Sequence, residues 1–341
     1  MDPGLASAIR LLPQRPGVYR FRDSCSRVLY IGRAANLQSR VRSYWTNGGG
    51  RSHLLRMVPQ ITRIEAIECD SAHEAAWLER NLVDSQEPPW NRTEGGLGVP
   101  VYVRLDTDRR HPTIGVVHES DASPSPSVTV RTFGPFLGGR RIRTAVAGLH
   151  RIYPLSYSAQ RLTGAQRDLA KVRGIAVGDM DVLAGTITAI LTRNPRSTRQ
   201  LIDGLRTTRD RAAAALVFDL AAQIQQEIEA VEWLVAPQRV TQPTHRACSM
   251  YGWSDGVLVA LEMKSGRLCG WTVRPCSEPA SSPLVQVTPD DWVPFTNRAA
   301  ALAGRLFIAL RQPELAGADR PFGCHAPAPD RRGILAPDRA R

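Results

Sequence analysis

Two short β-branched and aromatic runs, GVYRFR at 17–22 and RVLYIG at 27–32, flank the polar connector DSCS. Runs of this kind across a short polar link form an antiparallel hairpin. A hairpin of this length puts Tyr19 and Tyr30 on one side of its sheet. Directly after it, Leu37, Val41 and Tyr44 recur at i, i+4 and i+7, which predicts an amphipathic helix over 34–45. The glycines of TNGGGRS (46–52) end that helix. A second helix is expected over 53–58, and RIEAIEC (63–69) alternates as a third strand. Ser71 and Glu74 form an S-x-x-E capping box that opens a helix to about Ser85, with Ala75, Leu78 and Leu82 as its apolar stripe. Pro88 and Pro89 exclude its continuation. The first ninety residues therefore read β-β-α-α-β-α, a small antiparallel sheet with packed helices.

Downstream, VYVRLD, TIGVVHES and VTVRTFGPF (101–136) read as strands, interrupted by ESDASPSPS (119–127), an exposed loop of low complexity. Ile142, Val146 and Leu149 mark a helix over 140–153, and helical patterning continues from about 159 to 235. In LVFDLAAQIQQEIEAVEWL (216–234), Leu216, Leu220, Ile224, Ile228 and Val231 share a face, as in one arm of an antiparallel helical hairpin. Strand patterns return in 247–275, followed by a helix over 296–310 and a Pro-, Gly- and Arg-rich tail (312–341) expected to be disordered. The fold class is α+β: a small antiparallel N-terminal unit, a mostly helical middle region and a small mixed α/β C-terminal region.

The formal net charge of +12 favours polyanionic partners. Only Lys171 and Lys264 are lysines, so 42 of the 44 basic residues are arginine, and position has to decide what the charge serves. The six cysteines are scattered without a C-x-x-C pair, against both a zinc ribbon and a disulfide framework. No run approaches 18 apolar residues and the N-terminus lacks a secretory h-region, so the expectation is a cytoplasmic protein without a membrane role.

The chemistry lies in an ordered set within 91 residues: PGVY (16–19), YIG (30–32), Asn36 and Arg40 on the first helix, Glu79 in AAWLERNLV, and Asn91 in PPWN. Hydrolysis of a phosphodiester needs a water deprotonated in line with the leaving oxygen, and neutralisation of the phosphoryl charge. One carboxylate can hold one hydrated Mg²⁺ or Mn²⁺ when phosphate and waters supply the other ligands, and Glu79 is the candidate. Arg40, one turn beyond Asn36, can pair with phosphate oxygens.

The set resembles the GIY-YIG endonuclease superfamily, and more closely the N-terminal nuclease domain of UvrC, over 11–105. The resemblance implies a metal-dependent, structure- or damage-specific DNA endonuclease making a single-strand incision in nucleotide excision repair or related DNA processing. It implies catalytic roles for Tyr19, Tyr30, Arg33, Arg40, Glu79 and Asn91, with Glu79 as metal ligand and Asn36, Arg40 and Arg42 on DNA. Tyr30 is similar to the family's proposed base and Tyr19 to its partner, and sequence leaves open which takes the proton. TFGPFLGGRRIRTAVAGLHRIYPL (132–155) resembles the segment after the UvrC nuclease domain. Residues 201–236 look like the UVR hairpin through which UvrC contacts UvrB, with Phe218, Leu220, Ile224 and Ile228 as the partner-binding residues; an ordinary core hairpin is the plainer alternative.

Three departures qualify the resemblance. Arg33 stands where UvrC typically has lysine after YIG. The region equivalent to the iron–sulfur segment, SYSAQRLTGAQRDLAKVRG (156–174) within a linker region 106–200, has no cysteine, so no iron–sulfur cluster is expected. Residues 237–311 look at most like the opening of the RNase H-like nuclease, as in short UvrC homologues of the Cho type. These departures also motivate an alternative: a non-cleaving adaptor that binds DNA or UvrB.

Overall fold

The computed structural model describes residues 1–46, 52–91, 98–118, 129–242 and 247–311. The loop expected at 119–127, most of the glycine stop after the first predicted helix, and the tail at 312–341 lie outside the described residues.

The N-terminal hairpin forms from β1 (Gly17–Arg22) and β2 (Val28–Ala34), and β3 (Arg63–Glu68) adds antiparallel to the other side of β1. The order is therefore β2-β1-β3. Period-2 alternation sorts the side chains to two faces. Val18, Ile31 and Ile67 enter one core with α3 (Ala72–Gln86). Tyr19, Phe21, Tyr30, Ile64 and Ala66 enter another with α1 (Pro3–Leu11) and α2 (Leu37–Thr46). Gly17 has no room for a side chain, because a Cβ there would meet the Ile67 carbonyl oxygen at 2.3 Å and Leu37 Cδ1 at 2.6 Å.

Several local expectations change. Helix α1 was not anticipated: Asp2 caps it by accepting from the N–H groups of Gly4 and Leu5 (2.8 and 3.1 Å), with Pro3 at the first helical position. The helix expected over 53–58 is instead two 3-10 turns, Ser52–Arg56 and Val58–Gln60. Half of the capping box forms, with the Ser71 hydroxyl accepting from Glu74 N at 2.9 Å. The Glu74 carboxylate reaches Asp70 N (2.7 Å) and Arg239 N (2.8 Å) rather than Ser71 N, and so ties α3 to a segment 165 residues away.

A second sheet, ordered β5-β4-β6, comprises β4 (Val101–Asp106), β5 (Thr113–His118) and β6 (Val130–Phe136). A domain boundary at 105/106 would cut through β4. Val101, Val103 and Leu105 face a core built with α4 (Gly139–Ile152), α6 (Met180–Leu191), α7 (Pro195–Ala214) and α8 (Phe218–Val235). Between α4 and α6 lies the short α5 (Gly164–Val172). Helices α7 and α8 make the hairpin read from sequence, starting at Pro195 rather than 201. Its apolar face turns inward onto α4, where Arg151 holds the buried Glu227 through two bonds of 2.6 and 2.7 Å. Ile224 and Ile228 are thereby buried and Leu220 half-buried, whereas Phe218 is 65% and Leu216 73% exposed at the tip. Leu216 departs from the predicted stripe because it precedes α8 and adopts φ +59° in the turn.

The third sheet is a meander of β7 (Cys248–Ser254), β8 (Val257–Lys264) and β9 (Arg267–Pro275), followed by α9 (Glu278–Val285) and α10 (Val293–Arg311). It packs into the same core as Val18, Ile31 and α3. At the join, Arg20 from β1 is 2% exposed and bonds Glu65 of β3 at 2.5 Å. It also donates to the Trp271 carbonyl at 2.8 Å, with its guanidinium 3.8 Å from the Trp271 ring centroid. Arg22 and Arg63 reach the same carboxylate at 3.0 and 2.9 Å. Among the described residues no helix is long and apolar enough to cross a membrane.

Burial works to raise the Glu65 pKa, but Arg20, Arg63 and Arg22 outweigh it and hold it below the usual carboxylate range. A depressed folded-state value contributes stability above the unfolded pKa, and the contribution is lost as pH falls through the folded one. Glu65→Ala, which leaves Arg20 charged and buried, should cost about 3–5 kcal/mol in urea unfolding at neutral pH. The difference from wild type should shrink as pH falls below 4.5, the ordinary value for this group.

Candidate active site

The phenols meet on the α2 face of the first sheet. Tyr19 pairs across the hairpin with Gly32, and Phe21 with Tyr30, so all the odd positions of β1 share a face with Tyr30. Ring centroids lie 6.3 Å apart for Tyr19 and Tyr30, 6.0 Å for Tyr19 and Tyr44, and 6.0 Å for Tyr30 and Tyr44. The Tyr19 and Tyr44 hydroxyls are 2.7 Å apart. Gly32 makes this possible: a Cβ there would stand 2.4 Å from the Tyr19 hydroxyl and 2.7 Å from Tyr30 Cε1.

Arg40 of α2 lies over this cluster, 5.1 Å from the Tyr44 ring centroid. Burial works to lower its pKa, but Tyr19, Tyr44 and Tyr30 outweigh that and hold it above the ordinary arginine value. Burial pushes the Tyr19 phenol well above its usual range, reinforced by Tyr44 and Tyr30 and opposed by Arg40. Tyr19 is therefore neutral across the physiological range.

β2 is an edge strand, and its free side is closed by two side chains. Asn91 accepts from Ile31 N at 2.9 Å and donates to Ile31 O at 2.8 Å, replacing the partner strand that β2 lacks. Trp90 N adds a bond to Leu29 O at 3.1 Å. Two residues along, Glu79 Oε1 accepts from Arg33 N at 3.2 Å, and Arg33 Nε sits 3.2 Å from Glu79 Oε2. Glu79 sits at the margin of the stripe of α3 that Ala75, Leu78 and Leu82 bury, one turn beyond Ala75. Its side chain remains 26% exposed.

The set predicted from sequence thus divides. Tyr19, Tyr30 and Arg40 converge; Glu79 and Arg33 pair with each other on the strand that carries Tyr30; Asn91 meets only backbone of β2 in the bonds above. Asn36, expected on DNA, caps α2 by accepting from Ser39 N at 2.9 Å. It also lines an open cleft of about 350 Å³ with Arg42, Gln14, Gln38, Ser43 and Thr46. Tyr44 was legible only as a core position. A hydroxyl at i+4 from Arg40, on the side of the helix facing two other tyrosines, is the signal that distinguishes it.

A metal would find one hard oxygen donor group here. Glu79 meets Arg33 through both carboxylate oxygens, and a carboxylate is the kind of hard donor that suits a hydrated divalent ion. Among the described residues no cluster of three or more His, Cys, Asp or Glu side chains stands ready to enclose a metal.

Residues 15–92 match the UvrC-like GIY-YIG domain family. The chain belongs to the UvrC-like GIY-YIG family. It is 30% identical to UvrABC system protein C of Symbiobacterium thermophilum over 250 residues, covering 71% of this chain and 39% of that one. It is 28% identical to the Desulforudis audaxviator protein of the same name, covering 79% and 44%. The chain therefore spans about two fifths of the length of these relatives. The GIY-YIG N-terminal endonuclease domain of UvrC from Thermotoga maritima, solved bound to its catalytic divalent cation magnesium, is 32% identical. It covers 27% of this chain and all of its own, with a TM-score of 0.25.

Within the GIY-YIG domain, Gly32→Ala should destabilise the fold by about 1–3 kcal/mol in urea unfolding, since its Cβ displaces the Tyr19 hydroxyl. Tyr19→Phe should leave the tyrosinate absorbance rise at about pH 10 unchanged, because the buried Tyr19 is still protonated there.

Proposed function

We propose that this chain is a metal-dependent DNA endonuclease that cuts one strand by water attack on a phosphodiester, in nucleotide excision repair or related DNA processing. The carrying observation is the cluster of Tyr19, Tyr30 and Tyr44 beneath Arg40, with Glu79 tied at Arg33 to the strand that bears Tyr30.

In this reading Tyr30 is the base. Tyr19 is held neutral by burial, and its hydroxyl contact to Tyr44 fixes its orientation, so it serves as the positioning partner. The Tyr30 oxygen takes a proton from the attacking water, and Arg40 offsets the negative charge that builds on the phenol and on the phosphoryl oxygens. An unperturbed tyrosine has a pKa near 10, so this step relies on the adjacent cation. Glu79 holds a single Mg²⁺ or Mn²⁺, as the 32% identical Thermotoga domain holds magnesium. When bound, the ion polarises the phosphodiester and acidifies a coordinated water. Asn91 acts through Ile31, fixing the strand between Tyr30 and Gly32. Arg33 steadies Glu79 and, being arginine, keeps its charge throughout.

Arg42, midway along α2 and in the same cleft as Asn36, contributes phosphate contact, and Asn36 contributes by ordering the start of that helix. Contact with UvrB is proposed at the exposed tip of the α7–α8 hairpin, through Phe218 with Leu220 at its margin. Ile224 and Ile228 support that tip from the core. Residues 237–311 keep an antiparallel meander followed by helices, which supports the reading of an RNase H-like remnant, here braced against the nuclease domain.

End-labelled intact, nicked, bubbled and adducted duplexes, incubated with Mg²⁺ or Mn²⁺, test the proposal. Glu79→Gln should abolish cutting and leave DNA affinity within a few-fold of wild type. Full activity in that variant would overturn the metal assignment. Absence of cutting by the wild type, with UvrB present, would favour the adaptor.

A further inference from the structure

β9 is the terminal strand of the third sheet, so carbonyls on its outer side lack a strand partner. Two of its carbonyls, two residues apart, are taken by donors from the N-terminal unit. Ser85 and Gln86, at the end of α3, donate to Cys269 O at 2.8 and 3.2 Å. Arg20 Nη2 donates to Trp271 O at 2.8 Å, and the Arg20 guanidinium carbon stands 3.8 Å from the Trp271 ring centroid. That ring is itself 3% exposed. One residue of the meander therefore supplies both a carbonyl acceptor and an aromatic cover to a cation of the nuclease domain.

Arg20 is also where this contact meets the phenols. It sits between Tyr19 and Phe21 on β1, with its side chain on the opposite face. β1 is the central strand, paired with β2 on one side and β3 on the other. A displacement of β1 thus carries Tyr19 directly, and Tyr30 through β2. The cluster has little slack to absorb it: the Tyr19 and Tyr44 hydroxyls are 2.7 Å apart, and no Cβ fits at Gly32. A desolvated guanidinium keeps its place only while its donors and its face are occupied. Without the ring it draws in water or turns to another partner, and β1 moves with it. α10 links the same two cores by a second route. Its Phe295 and Ala299 lie with Trp271, and its Leu302 and Leu306 lie with Tyr19, Tyr30 and Tyr44.

We infer that Trp271 is a positioning residue for the tyrosine cluster, acting through Arg20, and that the C-terminal meander is thereby part of the nuclease site. The inference rests on the endonuclease reading for what the cluster does. Its structural half, the coupling of Trp271 to Arg20 across the join, is independent of that reading.

The experiment compares the wild-type chain with Trp271→Phe, Trp271→Met, Arg20→Met and the Arg20→Met/Trp271→Met double variant, with thermal melting to verify folding. Phenylalanine and methionine both fill the space with apolar atoms, but only phenylalanine offers an aromatic face to the cation. Arg20→Met leaves Glu65 with Arg22 and Arg63 as partners. In cleavage of a nicked or bubbled duplex with Mg²⁺, Trp271→Met should lower kcat about 10- to 100-fold, the scale of a misplacement of about 1 Å. KM should stay within about two-fold, because Asn36 and Arg42 are untouched. Trp271→Phe should hold kcat within about three-fold of wild type. Arg20→Met should repeat the kcat loss, and adding Trp271→Met to it should change kcat less than about two-fold, as for residues that act as a unit. Urea unfolding of the four variants runs the same cycle without cutting and should be equally non-additive.

Equal kcat in the phenylalanine and methionine variants, a loss confined to KM, or additive losses in the double variant would each overturn the positioning role. Full activity in Arg20→Met would overturn it even if Trp271→Met did not fold. A wild type that cuts no substrate would refute the endonuclease; additive unfolding losses would then overturn the coupling as well, and non-additive ones would uphold it.

Discussion

The Arg20 guanidinium is the constraint around which the N-terminal half is arranged. It emerges from the central strand of the first sheet between Tyr19 and Phe21, on the face opposite to theirs, and is almost wholly removed from solvent. A buried cation is tolerable only when its donors are used. Here Glu65 neutralises it, Trp271 O takes a second donor, and the Trp271 ring covers its plane. The third sheet therefore completes the desolvated environment of a residue adjacent to the proposed site. Burial lowers the Arg20 pKa to about 10, and Glu65 works against that shift, which is how the pair keeps its charge at neutral pH. The α10 helix strengthens the same join by placing Phe295, Ala299 and Ala303 in one core and Leu302, Leu306 and Ala309 in the other. In this chain the nuclease domain and the C-terminal meander share their cores.

The other organising problem is the free edge of β2. An edge strand presents unpaired N–H and C=O groups that invite pairing with another chain. Asn91 closes the edge at Ile31 and Glu79 closes it at Arg33. The proposed metal ligand thus also has a structural duty, and the strand it steadies is the one bearing Tyr30. That economy ties the position of the carboxylate to the position of the phenol through two residues of extended backbone, a rigid connection. It also accounts for an asparagine so far along the chain: only a side chain carrying both a donor and an acceptor can replace a missing strand at one residue.

Much of this was legible in the sequence because local rules and global packing agree. The hairpin, the third strand, α3 and the helical hairpin follow from alternation, capping and a 3.6-residue period. Each departure has a local physical cause. Helix α1 is short and its signal rests on Asp2 and Pro3, with no long apolar repeat behind it. Glu74 was assigned to its own helix end, but a partner 165 residues away competes for the same carboxylate. Tyr44 sits in an apolar register, and periodicity cannot tell a hydroxyl that meets another hydroxyl from a ring that merely fills space. Ile224 and Ile228 were open to two readings because an amphipathic face looks alike whether its partner is another protein or α4.

An arginine after YIG has a specific consequence in this geometry. A lysine ammonium would be a point charge beside Glu79, free to rotate and able to lose its proton. Arg33 instead keeps its charge and meets one carboxylate oxygen through Nε while its backbone N–H meets the other. Both oxygens of the proposed metal ligand are thereby oriented by one residue. The arginine also lies on the face of β2 away from the phenols, since Arg33 pairs with Val18 while Gly32 pairs with Tyr19. Its charge therefore acts on Glu79, and the charge that acts on the phenols is left to Arg40. Two arginines thus serve opposite faces of the hairpin: Arg33 of β2 meets Glu79, and Arg40 of α2 lies over the tyrosines. This division follows from the strict two-residue period of β2.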